Sequence, residues 1–349
     1  MPDAGPVMLR RRGALALVAA ALAGVGDSRI VRAAAALAES PTLLVAGPPD
    51  GRLDRWAVQL AAALGPGLPA GTRLRLTPVG GEDGVTGANQ FTTRVPPDGN
   101  TLLLAPGDAV LAWLVGDKRA RFDVGQWLGV VAGIAPCVVC GYAAGLKPGA
   151  PIRVGMSGPV SPDLAALLGL ELAGLMPQPV FGGLAQGGAA QALALRAVDA
   201  VLLRGGAVAA NLGPLAQVGA VPLFSLGAIG GEGRDPQLLA VPTLAEYAAM
   251  RGATPPAELY GAWRGVAAAA QTEYALVLPL LTPAALVALW RTAGGLAAAA
   301  PELHDEAGRT RSVAAPAAHT VAQVLSPEVA AIAALRQWLA TRLDWRPPG

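Results

Sequence analysis

Ser157 lies in the stretch "GMSGP", which differs from the G-x-S-x-G motif of serine hydrolases only at Pro159. A serine nucleophile needs a histidine as its base. The two histidines of the chain, His304 and His319, lie in a C-terminal region with helical spacing, and no feature of the sequence brings either one to Ser157. We therefore expect no catalytic residues and no enzymatic activity.

Metal ions and cofactors are not indicated either. Neither histidine has a second ligand at the spacing of a metal site. The glycine-rich stretch "GGEDGVTG", residues 80–87, lacks the lysine of a phosphate-binding loop.

The pair "CVVC", Cys137 and Cys140, has the spacing of a redox motif. It lies in "GIAPCVVCGYA", a strand-like sequence, whereas redox motifs lie at a helix N-terminus. Residues three apart on a strand face opposite sides, with Cα atoms about 10 Å apart, which is too far for a disulfide. We expect two buried, inert thiols.

The chain has 349 residues, a length that favours two domains. Charged residues make up 14% and apolar residues 53%, much of it alanine. The long uncharged runs, 205–231 and 274–290, are interrupted by prolines, so neither suits a membrane-spanning helix. The net charge is +2, without a basic cluster beyond the N-terminus, which argues against nucleic acid as a partner.

The N-terminus has the pattern of an export signal. Three arginines precede the apolar stretch "GALALVAAALAGVG", and Ala36-Leu37-Ala38 suits a cleavage site. We predict a signal peptide over residues 1–38, for the Sec route or the twin-arginine route.

Strands and helices alternate from residue 41 onward. "TLLVA" and "TLLLA" (101–105) are predicted strands, and apolar residues recur at helical spacing from Leu53 to Leu64. This alternation predicts an α/β fold with doubly wound, mainly parallel sheets. Ligands bind beyond the carboxyl ends of such strands, so loops 47–51 and 105–109 should border one cleft.

A second series of strands and helices begins near residue 150. Ser161 is a predicted N-cap of the helix that follows, and the segment 182–188 is a glycine-rich loop before another helix. "AELYGAWRGVAAA", residues 257–269, is predicted to be a strand, and residues from about 282 onward are predicted to be largely helical.

The sequence resembles the periplasmic substrate-binding proteins of tripartite tricarboxylate transporters, the TctC or Bug family. The order and spacing of several segments agree from about residue 41 to 345. In chain order these are "PPDGRLD" (48–54), "GGEDGVTGA" (80–88), "PPDGNTLL" (96–103), "VGMSGPVSPDL" (154–164), "RAVDAVL" (196–202), "AVPTLAE" (240–246) and the degraded "GAWRGVAAAAQTE" (261–273).

The resemblance implies a two-lobed periplasmic binding protein of type II-like architecture. One lobe would comprise residues 41–135 plus 264–349, and the other residues 136–263. Two crossing strands, near 132–142 and 260–268, would join the lobes as a hinge.

The resemblance also implies a small organic anion bound between the lobes by backbone N–H groups and hydroxyls. The candidate ligand-binding residues are Pro49, Asp50, Gly51, Asp54, Pro106, Gly107, Asp108, Ser157, Gly158, Ser161, Gly182, Gly187, Gly188 and Arg204. For Asp54, Asp108 and Ser161 the alternative is a role as a helix N-cap. For Gly182, Gly187 and Gly188 the alternative is that they only make the loop flexible.

Two departures from the family pattern concern charge. Asp50 stands where the family has glycine, so a carboxylate faces the expected anion, and Arg52 is the neighbour that could compensate it. Arg204 follows a strand and is either a carboxylate clamp or a surface residue.

The sequence therefore predicts an exported, monomeric solute-binding protein. It would capture a small carboxylate and present it to the membrane subunits of a tripartite tricarboxylate-type transporter. The alternative is a binding module that serves a sensor kinase, or a degenerate paralogue that binds nothing.

Overall fold

The computed structural model of the chain describes residues 37–147, 149–182, 184, 188–229, 233–303 and 310–345. Two β-sheets with helices packed around them make up the fold. The α/β class predicted from the sequence is thus confirmed. The predicted signal peptide, apart from its last two residues, lies outside the described residues, as do Gly187 and His304.

The first sheet has six strands in the order β11-β4-β10-β3-β1-β2. Their bounds are β1 (Thr42–Val45), β2 (Arg75–Pro78), β3 (Thr101–Ala105), β4 (Trp127–Ile134), β10 (Thr272–Pro279) and β11 (Arg311–Ala314).

The second sheet has five strands in the order β7-β6-β8-β5-β9. Their bounds are β5 (Cys137–Gly141), β6 (Pro151–Met156), β7 (Met176–Phe181), β8 (Ala200–Arg204) and β9 (Val221–Ser225).

The α-helices of the described residues cover both sheets and join them. They are α1 (Arg52–Leu64), α2 (Val85–Arg94), α3 (Gly107–Leu114), α4 (Leu164–Leu172), α5 (Gly188–Ala194), α6 (Gly206–Gln217), α7 (Leu244–Met250), α8 (Ala257–Gln271), α9 (Ala284–Ala298), α10 (Ala317–Leu325) and α11 (Val329–Leu343).

Both sheets are mixed, and not mainly parallel as the sequence had suggested. In the first sheet β1 pairs in parallel with β2 and β3, whereas β10 runs antiparallel to β3 and β4. In the second sheet β6 pairs in parallel with β7 and β8, and β5 runs antiparallel to β8 and β9. β5 and β10 each follow a passage of the chain from one sheet to the other, and β11 also runs antiparallel to β4.

The chain passes between the sheets at two places. The first is at residues 135–136, between β4 and β5, within the range predicted for a crossing strand. The second prediction is wrong, because residues 257–271 form the helix α8 and not a strand. Ala262, Trp263, Val266 and Ala270 are buried at helical spacing, which is the pattern of a helix with one face in the core.

Residue 264, the predicted limit of a lobe, falls inside α8. The predicted division into residues 41–135 plus 264–349 and residues 136–263 remains a prediction. Helix α8 packs against α3, α10 and α11, and also against α4 on the side of the second sheet. The indole Nε1 of Trp263 donates a hydrogen bond to the carbonyl of Ala165 in α4 at 2.9 Å.

Within the described residues, no single helix has the length and apolar character needed to cross a membrane. The bent pair α10 and α11 meets that criterion together, by length and composition only.

The core of the first sheet is built around β3. Leu102, Leu103 and Leu104 are completely buried, because the strand lies between β1 and β10 with helices on both faces. Trp290 of α9 holds the turn before β3, because its indole Nε1 donates to the carbonyl of Gly99 at 2.9 Å. This packing fixes where β3 ends, and therefore where the loop at residues 105–109 lies.

We predict that Leu103→Ala lowers the free energy of unfolding by about 2–5 kcal/mol, since it leaves a cavity in a fully buried strand. Leu281→Ala is the matched control, because Leu281 is 79% exposed. It should change stability by less than about 0.5 kcal/mol. Urea unfolding followed by circular dichroism measures both variants, and equal losses would contradict the assignment of β3 to the core.

Candidate functional site

The carboxyl ends of β1 and β3 lie side by side, as the sequence predicted. The two strands are paired in register, and the Ala46 N–H donates to the carbonyl of Leu104 at 2.9 Å. The loop before α2 lies at the same place, because a Cβ added to Gly84 would lie 2.5 Å from Cδ of Pro106. Loops 47–51 and 105–109 therefore share one edge of the sheet.

The loop at 48–51 is held by its own helix. Asp50 has a positive φ of 61°, and its N–H donates to Oδ2 of Asp54 at 2.9 Å. The carbonyl of Asp50 accepts from Nη1 of Arg55 at 3.1 Å. The N-cap of α1 is Gly51 and not Asp54, so the predicted cap is wrong. Asp54 instead reaches back from the first turn of the helix to fix Asp50. Pro49 and Asp50 are exposed.

The first turn of α3 is packed tightly against the end of α8. A Cβ added to Gly107 would lie 1.9 Å from the carbonyl oxygen of Ala269 and 2.8 Å from that of Thr272. Pro106 is the N-cap residue, and both Pro106 and Gly107 are buried. Gly107, a candidate ligand-binding residue, therefore makes its close approach to the helix α8.

Asp108 does not cap α3, contrary to the prediction. It follows the N-cap by two residues, and Oδ2 of its carboxylate lies 3.8 Å from Nη2 of Arg52. The same guanidinium forms an ion pair through Nη1 with Glu273 at the start of β10. Arg52 therefore compensates Asp108 and Glu273, and not Asp50 as the sequence suggested.

The loop after β6 is organised by a carboxylate of the protein itself. Oδ2 of Asp163 accepts from the Ser157 N–H at 2.9 Å, from the Ser157 hydroxyl at 2.5 Å and from the Ser161 hydroxyl at 3.2 Å. Ser161 also donates to the carbonyl of Gly158 at 2.8 Å. Ser161 does not cap α4, whose N-cap is Asp163. Both predicted ligand hydroxyls are thus engaged by Asp163.

Of the remaining candidate glycines, Gly182 lies in a bend after β7 and Gly188 begins α5. Gly182 and Gly188 have φ values of 77° and 80°, and a Cβ added to either would meet nothing within 4 Å. Positive φ explains the choice of glycine at both positions. Gly187 lies outside the described residues.

Arg204 reaches from the second sheet to the end of α8. It is the last residue of β8, and its Nε donates to the carbonyl of Ala270 at 2.8 Å. Burial acts to lower the pKa of its guanidinium, but the neighbouring Cys137, Glu273 and Asp108 leave that pKa above its ordinary value. Arg204 thus lies within electrostatic range of Asp108 and Glu273. We call Arg52, Asp108, Arg204 and Glu273 the charged cluster.

The surroundings of Ser157 and the possible metal ligands can be followed only through the described residues. The hydroxyl of Ser157 donates to a carboxylate and contacts no histidine among the described residues. Within the described part of the chain, no group of three or more histidine, cysteine, aspartate or glutamate side chains is arranged to hold a metal ion.

The sequence pointed to three members of the charged cluster but missed Glu273. Arg52 and Glu273 are 221 positions apart in the chain. Such a pair cannot be found from spacing, although a charged residue at the junction of a helix and a buried strand was a usable signal.

No protein-family model matches the chain, and no curated protein matches it either. Solved structures do match. A TctC solute-binding protein from Polaromonas, crystallised without ligand, is 17% identical with a TM-score of 0.61, covering 87% of this chain and 98% of that one. MatC from Rhodopseudomonas palustris with bound malate is 18% identical with a TM-score of 0.50, covering 86% of this chain and 99% of that one.

These likenesses confirm the predicted two-lobed α/β fold. The chain has the two-lobed α/β fold of periplasmic solute-binding proteins. More particularly, it is the fold of the TctC type, the type to which the sequence motifs pointed.

We predict that Gly107→Ala destabilises the protein by about 3 kcal/mol, because the added methyl group would overlap the carbonyl oxygen of Ala269. Gly206→Ala is the matched control. Gly206 is likewise the first residue of its helix, and a Cβ there meets nothing within 4 Å. Denaturant unfolding compares the two variants. A Gly107→Ala protein as stable as Gly206→Ala would show that α3 does not approach α8 so closely.

We also predict that neither cysteine reacts with dithionitrobenzoate at pH 8 in the native protein. Burial raises the pKa of the Cys137 thiol to about 12, although Arg204 opposes the shift, and burial raises that of Cys140 to about 12. Both thiols are therefore protonated at that pH and shielded. Two thiols per chain should react after addition of denaturant, since both cysteines are free. Rapid reaction of the native protein would contradict this result.

Proposed function

We propose that this protein is an exported solute-binding protein of the TctC or Bug family that binds a small organic carboxylate between its two lobes. It would deliver the solute to the membrane subunits of a tripartite tricarboxylate-type transporter. The N-terminal pattern of residues 1–38 supports export to the periplasm.

The single observation that carries this proposal is the fold. The likeness to the TctC protein from Polaromonas extends over almost the whole of both chains, with a TM-score of 0.61. The ordered segments of the sequence, above all "PPDGNTLL", independently point to the same family. Neither line of argument relies on the other.

The site supports a carboxylate as the solute. Arg204 is anchored by its Nε on Ala270, which fixes the guanidinium at the carboxyl end of β8. A guanidinium fixed in this way suits a planar carboxylate, with which it can form two parallel hydrogen bonds. MatC, which shares the fold, binds malate, a small carboxylate.

The position of the solute follows from the topology. The loops after β1, β3, β6 and β8 all lie at carboxyl ends of strands, where α/β proteins bind ligands. Arg204 comes from the second sheet, and Arg52, Asp108 and Glu273 come from the first-sheet side. We infer that the solute lies where these loops face each other, and that the protein acts as a monomer without a cofactor and without catalysis.

A second candidate function is favoured by one observation. The hydroxyls of Ser157 and Ser161 are both engaged by Asp163, so they are not free to hold a ligand carboxylate. This arrangement suits a paralogue that senses a different ligand for a membrane kinase, or one that has lost binding.

We predict that at least one small organic acid raises the melting temperature of the purified protein, because a ligand bound only by the folded state stabilises it. Arg204→Gln should weaken that binding at least tenfold, since about 1.5–3 kcal/mol is lost with a charge-assisted hydrogen bond. Thermal-shift screening followed by calorimetry measures both effects.

Arg291→Gln is the matched control, because Arg291 also donates from its Nε to a backbone carbonyl, that of Gly129, but does not belong to the charged cluster. It should leave affinity unchanged. Shifts with neutral solutes alone would contradict the carboxylate proposal, and the absence of any shift would favour the degenerate paralogue.

A further inference from the structure

The charged cluster is electrically balanced. Arg52 and Arg204 contribute two positive charges, and Asp108 and Glu273 contribute two negative charges. A dicarboxylate would bring two further negative charges to this balanced group and gain no net attraction from it. Glu82 lies near the first loop, with its Oε1 3.2 Å from the position of a Cβ added to Gly51, and the exposed Asp50 lies beside the guanidinium of Arg55.

The hydrogen-bond donors that would hold an anion are in part already used. The N–H of Asp50 is bound by Asp54, and the N–H and hydroxyl of Ser157 are bound by Asp163. In both loops a carboxylate of the protein takes the place that a carboxylate of the solute would need. These three donors are therefore not available to a second solute carboxylate.

Asp108 is the member of the cluster with unused capacity. Its carboxylate makes no hydrogen bond with any described residue, and its contact with Arg52, at 3.8 Å, is longer than a hydrogen bond. The side chain is 31% exposed, whereas that of Glu273 is 13% exposed and paired with Arg52. A carboxylate with free oxygen atoms is an acceptor for a positively charged N–H group.

Resting on the proposed function, we infer that the solute is a zwitterion that carries a cationic nitrogen as well as a carboxylate. Arg204 binds the carboxylate, and Asp108 accepts hydrogen bonds from the nitrogen. A neutral pair of opposite charges matches a cluster whose own net charge is zero. In a dicarboxylate of the same length, the second carboxylate would face Asp108 and be repelled.

Isothermal titration calorimetry with matched four-carbon acids tests the inference on the purified protein. The probes are butanoate, butanedioate and 4-aminobutanoate, together with the pair malate and aspartate, which differ in a hydroxyl against an ammonium group. We expect the best aminated acid to bind at least tenfold more tightly than the dicarboxylate or hydroxy acid of the same chain length.

Asp108→Asn should weaken binding of the aminated acid at least tenfold and strengthen binding of butanedioate or malate, because it removes the negative charge and keeps the shape of the side chain. Asp98→Asn is the control, since Asp98 precedes β3 whereas Asp108 follows it. The Asp98 carboxylate accepts from the N–H of Asn100, a role that an asparagine side chain can also fill. This control should leave both affinities unchanged.

The outcomes separate the two proposals. If butanedioate or malate binds the wild-type protein more tightly than its aminated counterpart, or if Asp108→Asn weakens both kinds of acid equally, the inference is overturned and carboxylate binding stands. If none of the acids binds, the proposed function fails together with the inference.

Discussion

The contact between the first turn of α3 and the last turn of α8 is the constraint on which the site depends. Because residue 107 is a glycine, the backbone of α3 can meet the carbonyls of Ala269 and Thr272 directly. The next carbonyl, that of Ala270, then accepts a hydrogen bond from Arg204 of the second sheet. One helix end thereby brings together residues from both sheets, and the charged cluster forms around it. A larger residue at position 107 would separate α3 from α8 and move Asp108 away from Arg204.

The protein uses its own carboxylates to shape its loops. Asp54 orders the loop after β1, and Asp163 orders the loop after β6. Each carboxylate accepts backbone N–H groups that would otherwise be available to a ligand, so loop order is gained at the cost of anion-binding capacity. The same fold can in this way keep its architecture while the donors that its loops leave free differ.

How far the sequence predicts the structure depends on the range of the interactions involved. Local signals were sufficient for α1, whose apolar residues Leu53 to Leu64 recur at helical spacing, and for β3 with its flanking turns. They failed for α8, where residues 257–269 were predicted to be a strand although the buried positions follow a helical period. They failed again for the caps, because Asp54, Asp108 and Ser161 lie near helix starts without capping them. The pairing of Glu273 with Arg52 could not be found from the sequence, since the partner is brought to it only by the assembled sheet.

A helix, α8, takes the place of the predicted second crossing strand and makes this connection stiff. A strand twists and bends along its length, whereas a helix of 15 residues behaves as a rod about 22 Å long. A tilt of about 5° at its start displaces its far end by about 2 Å, a length comparable with a hydrogen bond. The helices α10 and α11 pack along this rod, and Ala269 and Ala270 lie at its far end. The surface formed by α10 and α11 thus supports the same helix whose end holds Gly107 and Arg204.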